Sequence, residues 1–292
     1  MKIIDKITEQ TSPFYSLEFF PPKDHAQWPN FFAMVERLKA MSPLFASVTY
    51  GAGGSTQDNT LGVTAHFQKE MGIEPMAHLT CVGATRDHVA SFLEALRSAG
   101  IHNVLALRGD APAGQDYDWS AGEFRYASDL VSFVRTHFPD FCISVAGYPA
   151  GHPESATFAD DTYYARRKIE AGADFVVTQL FFDVREYFDF VSKLRGLGVN
   201  KPILPGILPI QSFESVRRIL SLCDANIPGK LYLALEAADK KGGAEAVREA
   251  GIAFAVQQIR SLIDGGAPGI HLYTLNMADM CLRIQDEVGS LK

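Results

Sequence analysis

The chain has 292 residues, 47% hydrophobic and 21% charged, which is typical of a soluble globular protein. Its net charge of −7 comes without a basic run, which argues against the clustered Lys/Arg face of a nucleic-acid binder. No apolar stretch of about 18 residues occurs and no secretion signal begins the chain, so we expect no membrane span and a reduced, cytoplasmic location. Four widely separated cysteines in apolar surroundings predict buried free thiols: Cys81, Cys142, Cys223 and Cys281.

The first predicted strand carries a single carboxylate in the most apolar part of the N-terminal region. The stretch Tyr15–Pro22 has apolar or aromatic residues on both sides of Glu18 and ends in two prolines, which favours a buried strand over a helix. Burial of an ionised carboxylate is costly and usually raises its pKa, as a general acid requires. The alternative is a structural carboxylate that points outward or pairs with an arginine.

Strands and helices alternate along the rest of the chain. Further strands are predicted at Phe45–Tyr50, Glu74–Cys81, His102–Leu107, Phe141–Tyr148, Asp174–Leu180, Pro202–Leu208 and Ile270–Leu275. Helices are predicted at Trp28–Met41, in a segment ending near Met71, between an N-cap at Thr85 and Gly100, and at Ser128–Phe138, Asp160–Ala171, Val184–Leu197, Phe213–Leu222 and Ala278–Glu287. Extra helical material at Leu231–Asp264 precedes the last strand.

This alternation predicts an α/β protein with a parallel sheet and right-handed crossovers. Eight strand–helix units fit a single (β/α)8 TIM barrel with extra helices before the last strand, for which about 250 residues is the usual length. A doubly wound sheet is the second choice, because no Gly-x-Gly-x-x-Gly follows the first strand. No low-complexity linker divides the chain, so residues 1–292 are predicted to form one domain.

Most predicted strands end in a polar residue. In a barrel these ends share one face, so a ring of such residues with apolar walls predicts a small-molecule site there. For any single position, a hydrogen bond at the strand end is an equally good explanation. The ring comprises Glu18, Thr49, Tyr50, His78, Asp110, Tyr148, Gln179 and Asn276.

Other polar motifs are less specific. The glycine-rich segment 51–54 could cradle a phosphate but lacks Gly-Lys-Ser/Thr, so we interpret it as a βα-loop. The tripeptide Arg108–Asp110 has the sequence of a cell-adhesion motif, but it ends a predicted buried strand, which argues against that function. His78 and His152 lack metal-ligand spacing to other histidines or cysteines, so no metal site is predicted. The basic helical cluster Arg166–Lys168 is either a solvated face or a pyrophosphate or ribose contact.

Eight motifs together resemble the methylenetetrahydrofolate reductase family. They are Leu17–Pro22, Ser47–Ala52, His78–Cys81, Ala106–Asp110, Tyr126–Leu130, Thr178–Asp183, Pro205–Pro209 and Tyr273–Asn276, in the order and approximate spacing of the family. The length leaves no room for the eukaryotic regulatory domain, so the expectation is the short bacterial form.

The resemblance implies a barrel that binds FAD without a Rossmann motif, is reduced by NADH or NADPH, and then reduces 5,10-methylenetetrahydrofolate to 5-methyltetrahydrofolate. Glu18 matches the general acid that protonates N10 and opens the imidazolidine ring. Asp110 matches a carboxylate near flavin and pterin that would stabilise the cationic iminium, and Gln179 matches a pterin-contacting amide.

The resemblance also assigns ligand contacts. The positions matching FAD contacts are Tyr50, His78, Arg108, Gly109, Asp110, Ala127, Tyr148, His152, Asp161, Tyr164, Arg167 and Lys168, and Thr49 matches a nicotinamide contact. Three substrate or cofactor positions depart from some family members: Met277 replaces an arginine that helps to hold the substrate, Ile219 replaces a phenylalanine that packs on bound ligands, and Tyr164 replaces an asparagine. Folate-tail anchoring and nucleotide preference are therefore left open.

Two alternatives follow from the same residues. One is a flavin barrel that oxidises another amine, of the proline dehydrogenase kind, which would not require the pairing of Glu18 with Gln179. The other is a non-catalytic pterin-binding barrel, or a subunit that receives electrons from a partner. A homo-oligomer is compatible with the sequence, which does not specify the oligomeric state.

Overall fold

The computed structural model describes residues 1–50, 57–110, 118, 122–223 and 225–291, without the side chains of residues 57, 158, 222 and 223. In this part of the chain, nine strands form one parallel sheet in the order β7-β6-β5-β4-β3-β2-β1-β9-β8. The strands are β1 Phe14–Phe19, β2 Ala46–Val48, β3 Pro75–Thr80, β4 Asn103–Leu107, β5 Cys142–Gly147, β6 Phe175–Thr178, β7 Ile203–Leu204, β8 Gly206–Ile207 and β9 Gly269–Tyr273.

Helices connect and cover the strands. They are α1 Ile3–Glu9, α2 Trp28–Leu38, α3 Gln57–His66, α4 Arg86–Ser98, α5 Ala127–His137, α6 Phe158–Glu170, α7 Val184–Gly196, α8 Phe213–Cys223, α9 Gly229–Asp264 and α10 Ala278–Val288. The Thr85 side chain caps α4 by accepting a hydrogen bond from His88 N, and Gly100 follows that helix with φ +82°, as the sequence predicted.

The barrel is closed by the segment that contains Pro205. The sequence predicted one strand at Pro202–Leu208, but the structure has two short strands, β7 paired with β6 and β8 paired with β9. Pro205 interrupts the ladder because it has no N–H, although its carbonyl accepts a hydrogen bond of 3.0 Å from His271 N. The two halves together occupy the seventh of eight strand positions. The predicted (β/α)8 barrel is therefore confirmed, and the doubly wound sheet is wrong.

Residue alternation along the strands separates two apolar regions. Leu17 and Phe19 of β1 point outward into the layer between strands and helices, where Phe19 lies edge-on to Phe31 and Phe67. The opposite face of β1 carries Ser16 and Glu18 toward the barrel axis. This alternation brings polar side chains into the upper half of the barrel interior.

A short N-terminal helix that the sequence did not predict closes the other end of the barrel. Ile3 and Ile7 of α1 pack with the apolar residues of the lower barrel interior. Ile3 N donates a 2.8 Å hydrogen bond to Asn103 Oδ1, and Lys6 Nζ lies 3.3 Å from Glu74 Oε2. Seven residues are too few to show a helical period, which explains why the sequence did not reveal it.

The extra helices before the last strand are present as predicted. The segment α9 is bent at Gly242 and Gly243, where the backbone leaves helical geometry, so it is two helices in sequence. The first helix and the start of the second pack with α8 and the residues after β6 in a third apolar cluster, whose buried members are Leu180, Phe182, Leu208, Ile210, Phe213, Val216, Leu231, Leu235 and Val247. The rest of the second helix packs into the layer between strands and helices.

Cys81, Cys142 and Cys281 are buried free thiols, as predicted, and burial raises the pKa of each to about 12. The side chain of Cys223, the glycine-rich segment 51–54 and the single-domain assignment are not tested by the described residues. Among the helices described, none combines the length and apolar character needed to cross a bilayer.

Gly206 should be intolerant of any side chain because it lies where the barrel closes. A Cβ there would collide with the Thr178 carbonyl and come within 2.8 Å of the Tyr273 ring, so Gly206→Ala is expected to lower the free energy of unfolding by about 1–3 kcal/mol. The control is Gly196→Ala at the end of α7, where a Cβ meets nothing within 4 Å. Urea unfolding of both variants measures the difference, and equal midpoints would contradict the closure described.

Candidate active site

Two connected cavities open at the carboxyl ends of the strands. The first, the axial cavity, lies over the barrel and is lined by Glu18, His78, Leu105, Leu107, Arg108, Gly109, Asp110, Ala146, Tyr148, His152, Val177, Gln179 and Tyr273. The second, the lateral cavity, extends toward α5 and α6 and is lined by Ala106, Leu107, Arg108, Tyr126, Ala127, Ser128, Ala146, Tyr148, His152, Glu154, Ser155, Asp161, Tyr164, Arg167 and Lys168. Five residues line both cavities, which therefore form one cleft.

Glu18 lies at the base of the axial cavity and is 6% exposed. It is the inward residue before the last position of β1, and its backbone carbonyl accepts a 2.6 Å hydrogen bond from Thr274 Oγ1. Ser47 Oγ donates to its Oε2 at 3.2 Å. The ring nitrogens His78 Nε2 and His271 Nε2 lie 3.2 Å and 3.5 Å from the same oxygen. The carboxylate is thus enclosed by polar groups from three other strands.

The pKa of Glu18 does not have the direction that the sequence predicted. Burial raises it, but the positive charge and hydrogen-bonding capacity of His78 and His271 outweigh burial and lower the pKa to about 2. The usual effect of burial, a raised pKa, is therefore outweighed here by the imidazoles across the barrel, which the apolar sequence neighbours of Glu18 did not indicate. At neutral pH Glu18 is a carboxylate held next to proton-bearing groups.

Asp110 and Gln179 line the same cavity as Glu18. Asp110 is exposed and follows Gly109, whose φ is +85° and where a Cβ would come within 2.6 Å of Val82. Only glycine fits that turn, so the backbone conformation of Gly109 determines the position of Asp110. Gln179 Oε1 accepts a 2.9 Å hydrogen bond from Leu180 N, which orients the amide at the end of β6.

Three cationic side chains line the lateral cavity. Both terminal nitrogens of Arg108 lie 2.6 Å from oxygens of Glu154, which keeps the guanidinium at the junction of the two cavities. Arg167 is exposed on α6, one turn after Tyr163, whose ring centre is 5.9 Å from its guanidinium carbon. The third cation, Lys168, is partly buried. The cleft therefore offers positive charge to an anionic group.

Lys168 is the most constrained of these cations. Its Nζ donates to the Ala146 carbonyl and lies 5.4 Å from the centre of the Tyr148 ring. Burial lowers the pKa of Lys168 to about 8, and nearby Asp161 only partly offsets that effect. A desolvated ammonium of this kind gains more from a bound anion than an exposed one does.

Asp161 and His152 shape the wall between the cavities. Asp161 Oδ1 accepts hydrogen bonds from Ser155 Oγ at 2.7 Å and from His152 N at 3.2 Å, which ties the segment after β5 to the start of α6. The His152 ring lies edge-on to Tyr148, with ring centres 4.6 Å apart. Burial, followed by the charge of Arg108, lowers the pKa of His152, so its ring is neutral at pH 7.

The structure brings most of the predicted site residues into the cleft, but five lie outside its lining. The Thr49 N–H donates a hydrogen bond of 3.0 Å to the Phe19 carbonyl at the end of β1. Tyr50 packs on Phe92 with ring centres 5.7 Å apart. Ile219 packs against the third apolar cluster, and Met277 immediately precedes α10. Asn276 clamps the backbone of Phe20, donating to its carbonyl at 2.7 Å and accepting from its N–H at 3.1 Å. The ligand contacts assigned to the first four residues stay predictions.

Sequence reasoning missed residues that line or support the cleft. Tyr126, Ser128, Glu154, Ser155 and Tyr273 line it without having been assigned to the site. The supporting groups Ser47 and His271 contact Glu18 directly. Strand alternation could have indicated both residues. Ser47 lies two positions before Thr49 and His271 lies two positions before Tyr273, so each points to the same face of its strand as the residue at the strand end.

The chain is similar to known proteins over nearly its whole length. A family model described as methylenetetrahydrofolate reductase matches residues 3–289. Methylenetetrahydrofolate reductase (NADH) 1 of Arabidopsis thaliana is 41% identical over 99% of this chain and 51% of its own length. The 5,10-methylenetetrahydrofolate reductase of Salmonella typhimurium is 35% identical over 94% of this chain and 90% of its own length.

A solved structure shows the same fold. An uncharacterized protein from Clostridium thermocellum, described as binding two copies of 5-methyl-5,6,7,8-tetrahydrofolic acid, superposes with a TM-score of 0.68 and 16% identity over 98% of this chain and 99% of that one. The chain spans about half the length of the plant relative and most of the length of the bacterial one. By its family match and its identity to these reductases, the chain belongs to the methylenetetrahydrofolate reductase family.

Proposed function

We propose that this protein reduces 5,10-methylenetetrahydrofolate to 5-methyltetrahydrofolate, with NADH or NADPH as electron donor and FAD as the resident cofactor. The observation that carries the proposal is the meeting of Glu18, Asp110 and Gln179 in the axial cavity, next to a cation-lined lateral cavity. Membership of the reductase family supports the reaction class. A cytoplasmic location, as expected from the sequence, is part of the proposal.

The residues of the lateral cavity fit a flavin dinucleotide. Arg108, Arg167 and Lys168 would hold its diphosphate, and the buried Lys168 ammonium gains a counter-charge when an anion binds. Tyr148, shared by both cavities, and Tyr164 offer aromatic surface for its rings. When bound, FAD would supply the hydride chemistry, accepting hydride from the pyridine nucleotide and giving it to the folate.

Glu18 would act on the folate as a proton donor. Transfer to N10 of a proton that the Glu18 carboxylate has first taken up lets the bond between N10 and the methylene carbon break, with the electron pair remaining on N10. The methylene carbon then forms a cationic iminium with N5 and becomes electrophilic. The location of Glu18 in the lining of the axial cavity supports this role.

Asp110 and Gln179 would orient and stabilise the reacting folate. The Asp110 carboxylate lines the same cavity as Glu18 and places negative charge where the iminium develops. The Gln179 amide can both donate and accept hydrogen bonds, which suits the mixed donor and acceptor edge of a pterin. Asp110 thus favours the charged, ring-opened form of the substrate over the closed one, and Gln179 orients the pterin.

Glu18→Gln should separate the two half-reactions. An amide preserves the shape of the side chain but cannot donate the proton, so folate reduction is expected to fall about 10²- to 10⁴-fold. FAD content and flavin reduction by NADH, measured with menadione as acceptor, should stay at the wild-type level. Full folate turnover in this variant would show that Glu18 is not the acid.

Asp110→Asn removes the negative charge and keeps the size of the side chain. Folate turnover should fall about 10-fold or more because the cationic iminium loses its counter-charge. NADH oxidation with menadione should fall less, and the ratio of the two rates in stopped-flow experiments checks this. An equal loss in both half-reactions would assign Asp110 to cofactor binding instead.

The Lys168 ammonium should make FAD affinity depend on pH. Its pKa is about 8, and its charged form binds the diphosphate more tightly, so affinity should be constant below about pH 8 and fall as the pH rises above it. Flavin fluorescence quenching across this range measures the dissociation constant. Lys168→Met should be weaker and lack this step, whereas Lys193→Met, at a surface ion pair with Asp189, should retain it. A wild-type step that persists in Lys168→Met would contradict the assignment.

A further inference from the structure

Behind Glu18, a line of polar side chains runs into the barrel interior. Ser47 Oγ lies 3.2 Å from Glu18 Oε2 and 3.4 Å from His271 Nε2. On the far side of the ring, His271 Nδ1 lies 2.8 Å from Ser16 Oγ, which in turn is 3.4 Å from the Ile270 carbonyl. Ser16, Ser47 and His271 are each 0% exposed and line neither cavity. The folate and FAD could therefore not touch His271 directly.

The His271 ring is held in one orientation. Phe45 lies against one side with ring centres 5.9 Å apart and an interplanar angle of 21°, and Tyr273 meets it at 90° with centres 5.5 Å apart. The ring presents Nε2 to Glu18 and Nδ1 to Ser16. A buried histidine that only filled space would not need a carboxylate and two hydroxyls next to its nitrogens.

The hydrogen bonds around this ring are compatible with protons on both of its nitrogens. When Ser47 donates to the Glu18 carboxylate, only oxygen lone pairs face His271 Nε2, so that nitrogen carries a proton. When Ser16 donates to the Ile270 carbonyl, Nδ1 can donate to Ser16, whereas a Ser16 hydroxyl that donates to Nδ1 at 2.8 Å leaves Nδ1 an acceptor. The first arrangement is an imidazolium next to a carboxylate.

We propose that His271 is a positioning residue that stores the proton used by Glu18, with Ser47 as the hydroxyl that switches between them. This rests on the proposed function, because it supplies the proton that ring opening of the folate consumes. The cavity-facing carboxylate would serve as the outlet of a two-residue proton store.

The proton moves in two steps, from His271 to Glu18 and from Glu18 to the folate. The Nε2–H bond of His271 breaks and an O–H bond forms on Glu18, which passes the proton to N10 of the folate. The Ser47 hydroxyl then turns from Glu18 to His271 Nε2, which has become an acceptor, while Nδ1–H continues to donate to Ser16. The store is refilled by one proton from solvent through Glu18 once the product has left. No oxidant or reductant is needed.

Other titratable groups around the pair are few among the described residues. His78 on β3 faces Glu18 from the cavity side, with its Nε2 3.2 Å from Glu18 Oε2. Tyr273 on β9 faces His271, and its hydroxyl donates to the Thr178 carbonyl at 2.7 Å. Asp110 lines the same cavity as Glu18. His271 is therefore the fully buried member of the group and the one screened from ligands.

The test is nitrogen NMR of the intact chain labelled at its eight histidines, with His271 assigned by comparison with His271→Gln. We expect His271 to carry protons on both ring nitrogens at pH 7 in the wild-type protein. In Glu18→Gln, where the counter-charge is absent, the ring should lose one of them. A singly protonated ring in the wild type, or a ring that Glu18→Gln does not change, would overturn the proposal. This readout requires no turnover, so it stands or fails independently of the proposed function.

Kinetics with a matched control test the delivery step. In single-turnover folate reduction, His271→Gln should lower the rate about 10²-fold and Ser47→Ala about 10-fold, with the loss in kcat and not in KM. The pH above which the rate falls should be lower in His271→Gln, since Glu18 alone then holds the proton. Ser144→Ala, at another buried serine whose Oγ has no hydrogen-bond partner, should match wild type in rate and pH profile. A rate loss in Ser47→Ala no larger than in Ser144→Ala would contradict the switch.

Discussion

The arrangement of this protein depends on one ionised carboxylate held inside the barrel. Glu18 is removed from water, and it is tolerated there because Ser47, His78 and His271 surround a single oxygen. Each partner comes from a different strand, so the carboxylate is stable only once β1, β2, β3 and β9 are paired in register. The same contacts that make burial possible also place proton-bearing groups within reach of the candidate catalytic oxygen.

The fold directs that carboxylate to the open end of the barrel. Helix α1 fills the amino-terminal end with Ile3 and Ile7, and the split strand at Pro205 completes the wall. At the carboxyl-terminal end, Asn276 fixes the backbone of Phe20 and so holds the end of β1 against the residues after β9. The cleft therefore forms at the carboxyl-terminal end of the strands, with the candidate acid on the barrel axis and the cations to one side.

The division of the cleft into two cavities separates two chemical tasks. The lateral cavity collects positive charge and aromatic surface, which suit a large anionic cofactor. The axial cavity places carboxylates and an amide over the barrel, which suit a pterin whose amine must be protonated. Tyr148 and His152 line both, so a cofactor in one cavity and a substrate in the other would meet there.

The sequence predicted the order of strands and helices well because each element carries its own period and its own caps. Thr85 and Gly100 mark the ends of α4 in both sequence and structure. It did not predict the environment of Glu18, since Ser16 and His271 meet across 255 residues of chain and no local pattern records that pairing. The pKa of Glu18 is lowered by neighbours on other strands, His78 first and then His271, which no local pattern around Glu18 records. The sequence shows the proline that interrupts the seventh strand. It does not show that the two halves pair with different neighbours, β6 and β9, and so close the barrel.

The most direct test of the proposed function is an anaerobic titration of the purified protein followed by its visible spectrum. A yellow protein whose flavin absorbance is bleached by NADH or NADPH, and restored in equal amount by methylenetetrahydrofolate, is the predicted result. A colourless protein that still binds folate, or a flavin that NAD(P)H reduces but methylenetetrahydrofolate cannot reoxidise, would contradict the account.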